Sequence, residues 1–72
     1  MNLADALIGK EYIVKDVQMD DEELVSFLFS IGCYSGEPIT AISPINGGYV
    51  VLIKDARYNF DADLAKAILI CS

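Results

Sequence analysis

The stretch that decides the fold is DDEELVSFLFSIGCYSG, residues 20–36. Asp20 is followed three positions later by Glu23, a capping-box pattern that predicts the start of a helix. Gly32 can adopt the left-handed conformation with which many helices end. We therefore predict a helix over residues 21–31, whose acidic start lies where the helix dipole favours negative charge.

This helix carries more apolar side chains than one buried face needs. Four of them recur at helical spacing and are predicted to face the core. These four are Leu24, Phe27, Leu28 and Ile31. Val25 and Phe29 lie to one side of that stripe and, four positions apart, are neighbours on the helix surface. Either another element covers them, or they form an exposed apolar patch.

The segments around the helix are rich in β-branched and aromatic residues, which favour strands. The predicted strands are residues 11–17, 39–45 (with Pro38 at the start), 49–54, 57–60 and 66–71. Asn46-Gly47 is a strong hairpin signal, and a second tight turn is predicted at Asp55-Ala56. Single helical turns are predicted at residues 3–7 and after Asp61, a candidate helix cap.

Five short strands around one inserted helix predict a mostly β fold, a small and partly closed barrel. The 72 residues suffice for one domain, spanning 1–72, and 54% of them are hydrophobic. Closing the barrel would also reduce exposed sheet edges.

The charge of the chain argues against several classes of partner. The formal net charge is −6, and the five lysines and arginines are scattered along the sequence. Binding nucleic acid requires clustered basic residues, and an anionic membrane surface would repel this chain. The apolar runs are too short to span a bilayer, and the first residues lack the features of a signal peptide. We therefore expect a cytoplasmic protein that binds no nucleic acid and does not insert into the membrane.

The side chains available for chemistry are few. Histidine is absent, so the commonest general acid/base and transition-metal ligand is missing. Cys33 and Cys71 have no imidazole to activate them, and we interpret them as half-buried free thiols, with a lone bridge or a redox switch as alternatives. The consecutive acids 20–23 point around a helix and do not converge on a metal ion. We predict no catalytic residue, no cofactor and no metal site, and hence no enzyme.

Three motifs in a fixed order suggest a family. The chain opens with LADALIG (residues 3–9), continues after the helix with IGCYSG (residues 31–36), and closes on a strand with Ala65, Ile68 and Ile70. In this order and spacing the chain resembles the FeoA family, ferrous iron transport protein A, small cytosolic proteins with an SH3-like barrel. The resemblance extends over nearly all 72 residues.

The resemblance implies an accessory or regulatory role in ferrous iron uptake. The implied partner is the ferrous iron permease of the inner membrane, bound through its cytosolic GTP-binding domain, which would place the chain at the periphery of that membrane. The same barrel occurs in iron-dependent repressors, where it is associated with transition metals and dimer contacts. A free-standing metal-responsive module, weak transition-metal binding and a homo-oligomer are therefore alternatives, as is a generic protein-interaction barrel.

The residues predicted to contact a partner are apolar or aromatic. They are Val25, Phe29, Tyr34 and Tyr58. The alternative for each is ordinary packing within the barrel or against the helix.

Overall fold

A computed structural model describes residues 1–71. A short 3-10 helix, two α-helices and five strands follow one another along the chain. In order they are the 3-10 helix Leu3–Asp5, β1 Glu11–Val17, α1 Glu22–Ser30, β2 Pro38–Ile45, β3 Gly48–Ile53, β4 Ala56–Asp61, α2 Ala62–Ala67 and β5 Ile68–Cys71. The five predicted strands and the inserted helix are confirmed.

The strands form one antiparallel sheet in the order β4-β3-β2-β1-β5. The register of β1 shifts between Val14 and Asp16, and that of β2 between Ala41 and Ser43. Bulges of this kind bend a strand and increase its twist. α2 connects β4 to β5, the two ends of the sheet, and packs against both of them and β3. The curved sheet and α2 together enclose the core.

The core is apolar throughout the described residues. All five strands contribute buried side chains, and the 3-10 helix, α1 and α2 each add one, namely Leu3, Leu28 and Ala65. No polar or charged residue among residues 1–71 is buried. The core residue that carries a polar atom able to bond, Tyr12, uses its hydroxyl to accept a hydrogen bond from the Leu7 N–H at 3.0 Å.

Helix α1 begins one residue later than the capping-box pattern predicts. The N-cap is Asp21 and not Asp20, because the Asp21 Oδ1 accepts a hydrogen bond from the Leu24 N–H at 3.1 Å. The predicted bounds of this helix otherwise agree with the structure to within one residue.

The predicted core stripe of α1 is wrong at one position. Leu28 is fully buried, and Leu24 and Ile31 are half-buried, but Phe27 is 47% exposed. Phe27 lies ~100° around the helix from Leu28, at the margin of the stripe. Only the part of the helix surface centred on Leu28 meets the core.

Two further local predictions are wrong. The turn between β3 and β4 is Lys54-Asp55 and not Asp55-Ala56, because Ile53 pairs directly with Ala56. Lys54 and Asp55 have φ of 48° and 67°, as a two-residue hairpin loop requires. The last strand starts at Ile68 and not at residue 66, because the helix capped by Asp61 continues through Ala67.

Replacing Gly48 by alanine should destabilise the protein by about 3 kcal/mol or more. A Cβ at Gly48 would lie 2.0 Å from the Phe60 backbone oxygen, so β3 and β4 could not keep their spacing. Urea unfolding followed by circular dichroism measures this loss.

Gly47 is the matched control, since its φ is +87° but an added Cβ would meet nothing within 4 Å. Gly47→Ala should cost only the backbone strain, about 1–2 kcal/mol. A Gly48→Ala variant as stable as Gly47→Ala would contradict the close approach of the two strands.

The two thiols should react at very different rates. Burial raises the pKa of the Cys33 thiol to about 11, whereas Cys71 is exposed. Since the thiolate is the reactive form, alkylation of Cys33 by iodoacetamide at neutral pH should be about 100-fold slower than that of Cys71. Mass spectrometry of the labelled peptides gives both alkylation rates. In urea, which unfolds the protein and exposes Cys33, the two rates should become similar. Equal rates in the folded protein would show that Cys33 is not buried.

Candidate docking surface on helix α1

The end of α1 fixes where the following turn lies. The Gly32 N–H donates to the Phe29 carbonyl at 3.2 Å, and the Cys33 N–H donates to the Leu28 carbonyl at 2.8 Å. Together with the φ of +93° at Gly32, these two bonds form a Schellman motif. The predicted left-handed end of the helix is confirmed, and the chain reverses so that Tyr34 returns towards the helix.

The reversed chain places an aromatic pair on the surface. The ring of Tyr34 packs on the ring of Phe29, with centroids 4.6 Å apart and planes inclined by 31°. This tilted geometry is favourable for two aromatic rings. Phe29 nevertheless remains 63% exposed, so the pair leaves a large apolar area in contact with solvent.

A groove of about 450 Å³ runs along the same side of α1. Met19, Val25 and Phe29 supply its apolar part, and Asp20, Glu22 and Ser26 supply the polar part. Val25 is 36% exposed, and Phe29 is also exposed. Their exposure decides between the two alternatives for this flank, which are cover by another element and an exposed apolar patch. In the structure the flank is an exposed apolar patch, which no helix or strand of residues 1–71 covers. We call these six residues the α1 groove.

Met19 is the groove residue that the sequence analysis missed. Met19 precedes the predicted helix and is not among the predicted contact residues, yet it is half-buried and packs against the core. A signal for it exists, since an apolar residue just before an N-cap often contacts the residue at N4, here Val25. The pattern is shifted here, because Met19 stands two residues before the Asp21 cap.

A polar cluster holds the turn that carries Tyr34. The Lys54 Nζ lies 2.8 Å from the Glu37 Oε1. The Lys54 side chain passes so close to Gly32 that a Cβ added at Gly32 would lie 2.6 Å from the Lys54 Cε. Hydrogen bonding to Lys54 and to Tyr34 lowers the pKa of Glu37, and the same carboxylate raises the pKa of Tyr34 and of Lys54. The β3–β4 turn is thereby linked to the turn after α1.

Tyr58 lies in a different part of the molecule. It is on β4, half-buried against the core, with its ring centroid 6.4 Å from that of Phe60. It does not line the α1 groove. The structure thus brings Val25, Phe29 and Tyr34 together but not Tyr58.

The acids at the start of α1 form no ion pair within the described part of the chain. Within residues 1–71 the only ion pair is that between Lys54 and Glu37. Asp20, Asp21, Glu22 and Glu23 are all exposed, and the helix itself contains no lysine or arginine. This end of the groove therefore carries negative charge that no lysine or arginine of residues 1–71 neutralises in an ion pair.

The described residues offer no ready site for a metal ion. Within residues 1–71 no three Cys, Asp or Glu side chains lie close enough together to hold one. The same part of the chain contains no helix with the length and apolar character needed to cross a membrane.

Solved structures with the same fold come from two kinds of protein. Iron(II) transport protein A from Clostridium thermocellum is 20% identical with a TM-score of 0.86, and the alignment covers 99% of this chain and 44% of that chain. FeoA from Stenotrophomonas maltophilia, complexed with zinc and described as a procaryotic SH3 domain protein, is 17% identical with a TM-score of 0.83, covering 97% and 88%. A manganese-dependent transcriptional repressor is 20% identical with a TM-score of 0.85, covering 100% and 41%. These similarities confirm the SH3-like fold.

The sequence itself assigns the family. No curated protein matches the chain with significance. The chain spans less than half the length of the Clostridium thermocellum protein, 44% of it. The family model of the FeoA domain, however, matches residues 1–71. The chain therefore belongs to the FeoA family of ferrous iron transport.

Proposed function

We propose that the chain is a non-catalytic accessory protein of ferrous iron uptake that docks onto the cytosolic GTP-binding domain of a ferrous iron permease. It would work in the cytoplasm, at the periphery of the inner membrane through that partner. Membership of the FeoA family supports the role in iron transport. The observation that carries the docking proposal is the exposed apolar groove along α1.

The composition of the groove resembles that of protein-binding surfaces. Aromatic side chains dominate the energetics of protein interfaces, and a polar rim commonly surrounds them. Phe29 is the aromatic residue of the groove, with Val25 and Met19 beside it, and Tyr34 packs on its ring from outside the groove. An exposed apolar cluster on a small domain is costly in water, which favours a role in binding.

The available nucleophiles support a role without catalysis. The sequence contains no histidine to act as a general base. The Cys33 thiol is buried, and its raised pKa of about 11 keeps it protonated at neutral pH. The Cys71 thiol is exposed, but the sequence offers no imidazole to activate it. The family and the chemistry of the chain thus both favour an accessory protein over an enzyme.

A metal-responsive module is the second candidate. The similarity in fold to a manganese-dependent transcriptional repressor favours it. The absence of a three-ligand cluster within residues 1–71 argues against it, and we rank it below docking. Fold similarity at 20% identity does not transfer the repressor's activity to this chain.

Calorimetric titration of the reduced protein with ferrous or zinc ion separates the two candidates. We expect no heat of binding at micromolar metal, because the described carboxylates and thiols do not converge. A saturable heat with a defined stoichiometry, lost on mutation of a carboxylate, would favour the metal-responsive module.

Replacing Phe29 by lysine should weaken binding of the GTP-binding domain by about tenfold or more, because it removes an aromatic anchor from the groove. Lysine near the carboxyl end of a helix suits the helix dipole, so the fold should survive. Biolayer interferometry gives the affinity and circular dichroism checks the fold.

Phe27→Lys is the matched control. Phe27 lies on the same helix and is 47% exposed, but it does not line the groove. Binding should be close to that of the unmodified chain. If Phe29→Lys folds and binds the domain as well as Phe27→Lys does, the α1 groove is not the docking surface.

A further inference from the structure

We propose that the α1 groove takes a cationic amphipathic segment of its partner. Apolar side chains of that segment would pack on Met19, Val25 and Phe29, while its lysines or arginines would face Asp20 and Glu22. This inference deepens the proposed function and rests on it only for the identity of the partner.

The shape of the groove suits a segment of polypeptide. It is open to solvent along the side of a nine-residue helix, and its apolar part extends from Met19, before the helix, to Phe29 near its end. Small-molecule sites, by contrast, usually enclose most of the ligand surface. An amphipathic helix that lies in an apolar groove contacts it through side chains at successive turns, which an open groove of this length allows.

The charge of the groove selects a basic segment. Asp21 alone serves as the cap of α1, so the carboxylates of Asp20, Glu22 and Glu23 exceed what the helix end requires. They are exposed and have no lysine or arginine on the helix beside them. Complementary charge steers association and fixes the orientation of a bound segment. A partner with lysine or arginine beside its apolar face would relieve the repulsion among these acids.

The same charge disfavours the two other occupants of an exposed apolar face. A symmetric dimer through α1 would place the same patch of both copies in contact, and each chain carries a net charge of −6. The acids at the start of one α1 would then add to the repulsion from the other copy. An anionic membrane surface would be repelled in the same way.

A synthetic fluorescein-labelled peptide tests the proposal directly. The peptide is an amphipathic helix of about 15 residues, with leucine on one face and lysine and arginine on the other. Fluorescence anisotropy should show saturable binding that weakens as salt is raised, because part of the attraction is electrostatic. A peptide with glutamate in place of its basic residues should bind at least about tenfold more weakly.

Two pairs of variants locate the binding site of this peptide. Phe29→Ser should weaken binding about tenfold, whereas Phe27→Ser should not. The double variant Asp20→Asn/Glu22→Gln should weaken binding and flatten the salt dependence. The double variant Asp55→Asn/Asp63→Asn makes the same change in net charge away from the groove and should bind nearly as the unmodified chain does. Circular dichroism confirms that each variant folds.

Several outcomes would overturn the proposal. The basic and acidic peptides could bind equally well, or the two variants of either pair could have equal effects on binding. The chain could also form a dimer, or bind anionic vesicles, in a way that Phe29→Ser abolishes.

The GTP-binding domain of the permease, used in place of the peptide, separates this inference from the proposed function. If the domain fails to bind but the peptide shows the predicted pattern, the groove inference holds and the permease is the wrong partner. If the domain binds and no groove variant changes its affinity, the groove inference fails while the proposed function stands.

Discussion

The burial of Leu28 is the contact on which the position of α1 depends. It is the only residue of that helix with a fully buried side chain, and burying a leucine contributes about 1.5–3 kcal/mol. Because the core contacts α1 mainly along the side of Leu28, the residues on both sides of Leu28 are exposed. Phe27 and Phe29 each lie ~100° from Leu28, in opposite directions, and both face solvent. The exposed flank that we propose as the docking surface thus follows from how little of the helix the small core covers.

The turns that follow α1 and β3 fix the position of the aromatic pair on this exposed flank. Gly32 lets the chain reverse and lets the side chain of Lys54 pass close to the backbone. Lys54 then reaches Glu37, and the turn that these contacts hold carries the Tyr34 ring onto Phe29. Because Lys54 belongs to the tight turn between β3 and β4, the geometry of the aromatic pair depends on a hairpin that is distant in sequence.

Much of the fold could be predicted from local signals in the sequence. The strand at Glu11–Val17, the Asn46-Gly47 hairpin and the glycine that ends α1 each follow from residue type and spacing, and all three are confirmed. The errors lie where tertiary contacts decide. Nothing local marks Lys54 as a residue with positive φ, and the length of α2 depends on Ala65 finding a place in the core.

The candidate site could also be predicted only in part, because tertiary contacts decide which of its residues are exposed and which meet. Helical periodicity separates Val25 and Phe29 from the buried stripe, but it cannot show how wide a stripe the core covers. The prediction that Phe27 faces the core is wrong for this reason. The place of Met19 in the groove could not be read from helical periodicity, because Met19 precedes the N-cap of α1. The contact between Phe29 and Tyr34 requires the three-dimensional path of the turn after α1. The role of Tyr58 in binding stays a prediction, since it lies on β4 and outside the groove.

The exposed apolar flank and the acids beside it are the features on which we base the proposed function of this FeoA-family chain. In the proposed complex the partner contacts this flank and no other face. Two-dimensional NMR of the ¹⁵N-labelled chain, titrated with the unlabelled GTP-binding domain of the permease, tests it most directly. Amide signals from residues 19–34 should shift or broaden together, while those of β4 and α2 stay in place. Shifts centred on β4 around Tyr58, or on α2, would contradict it.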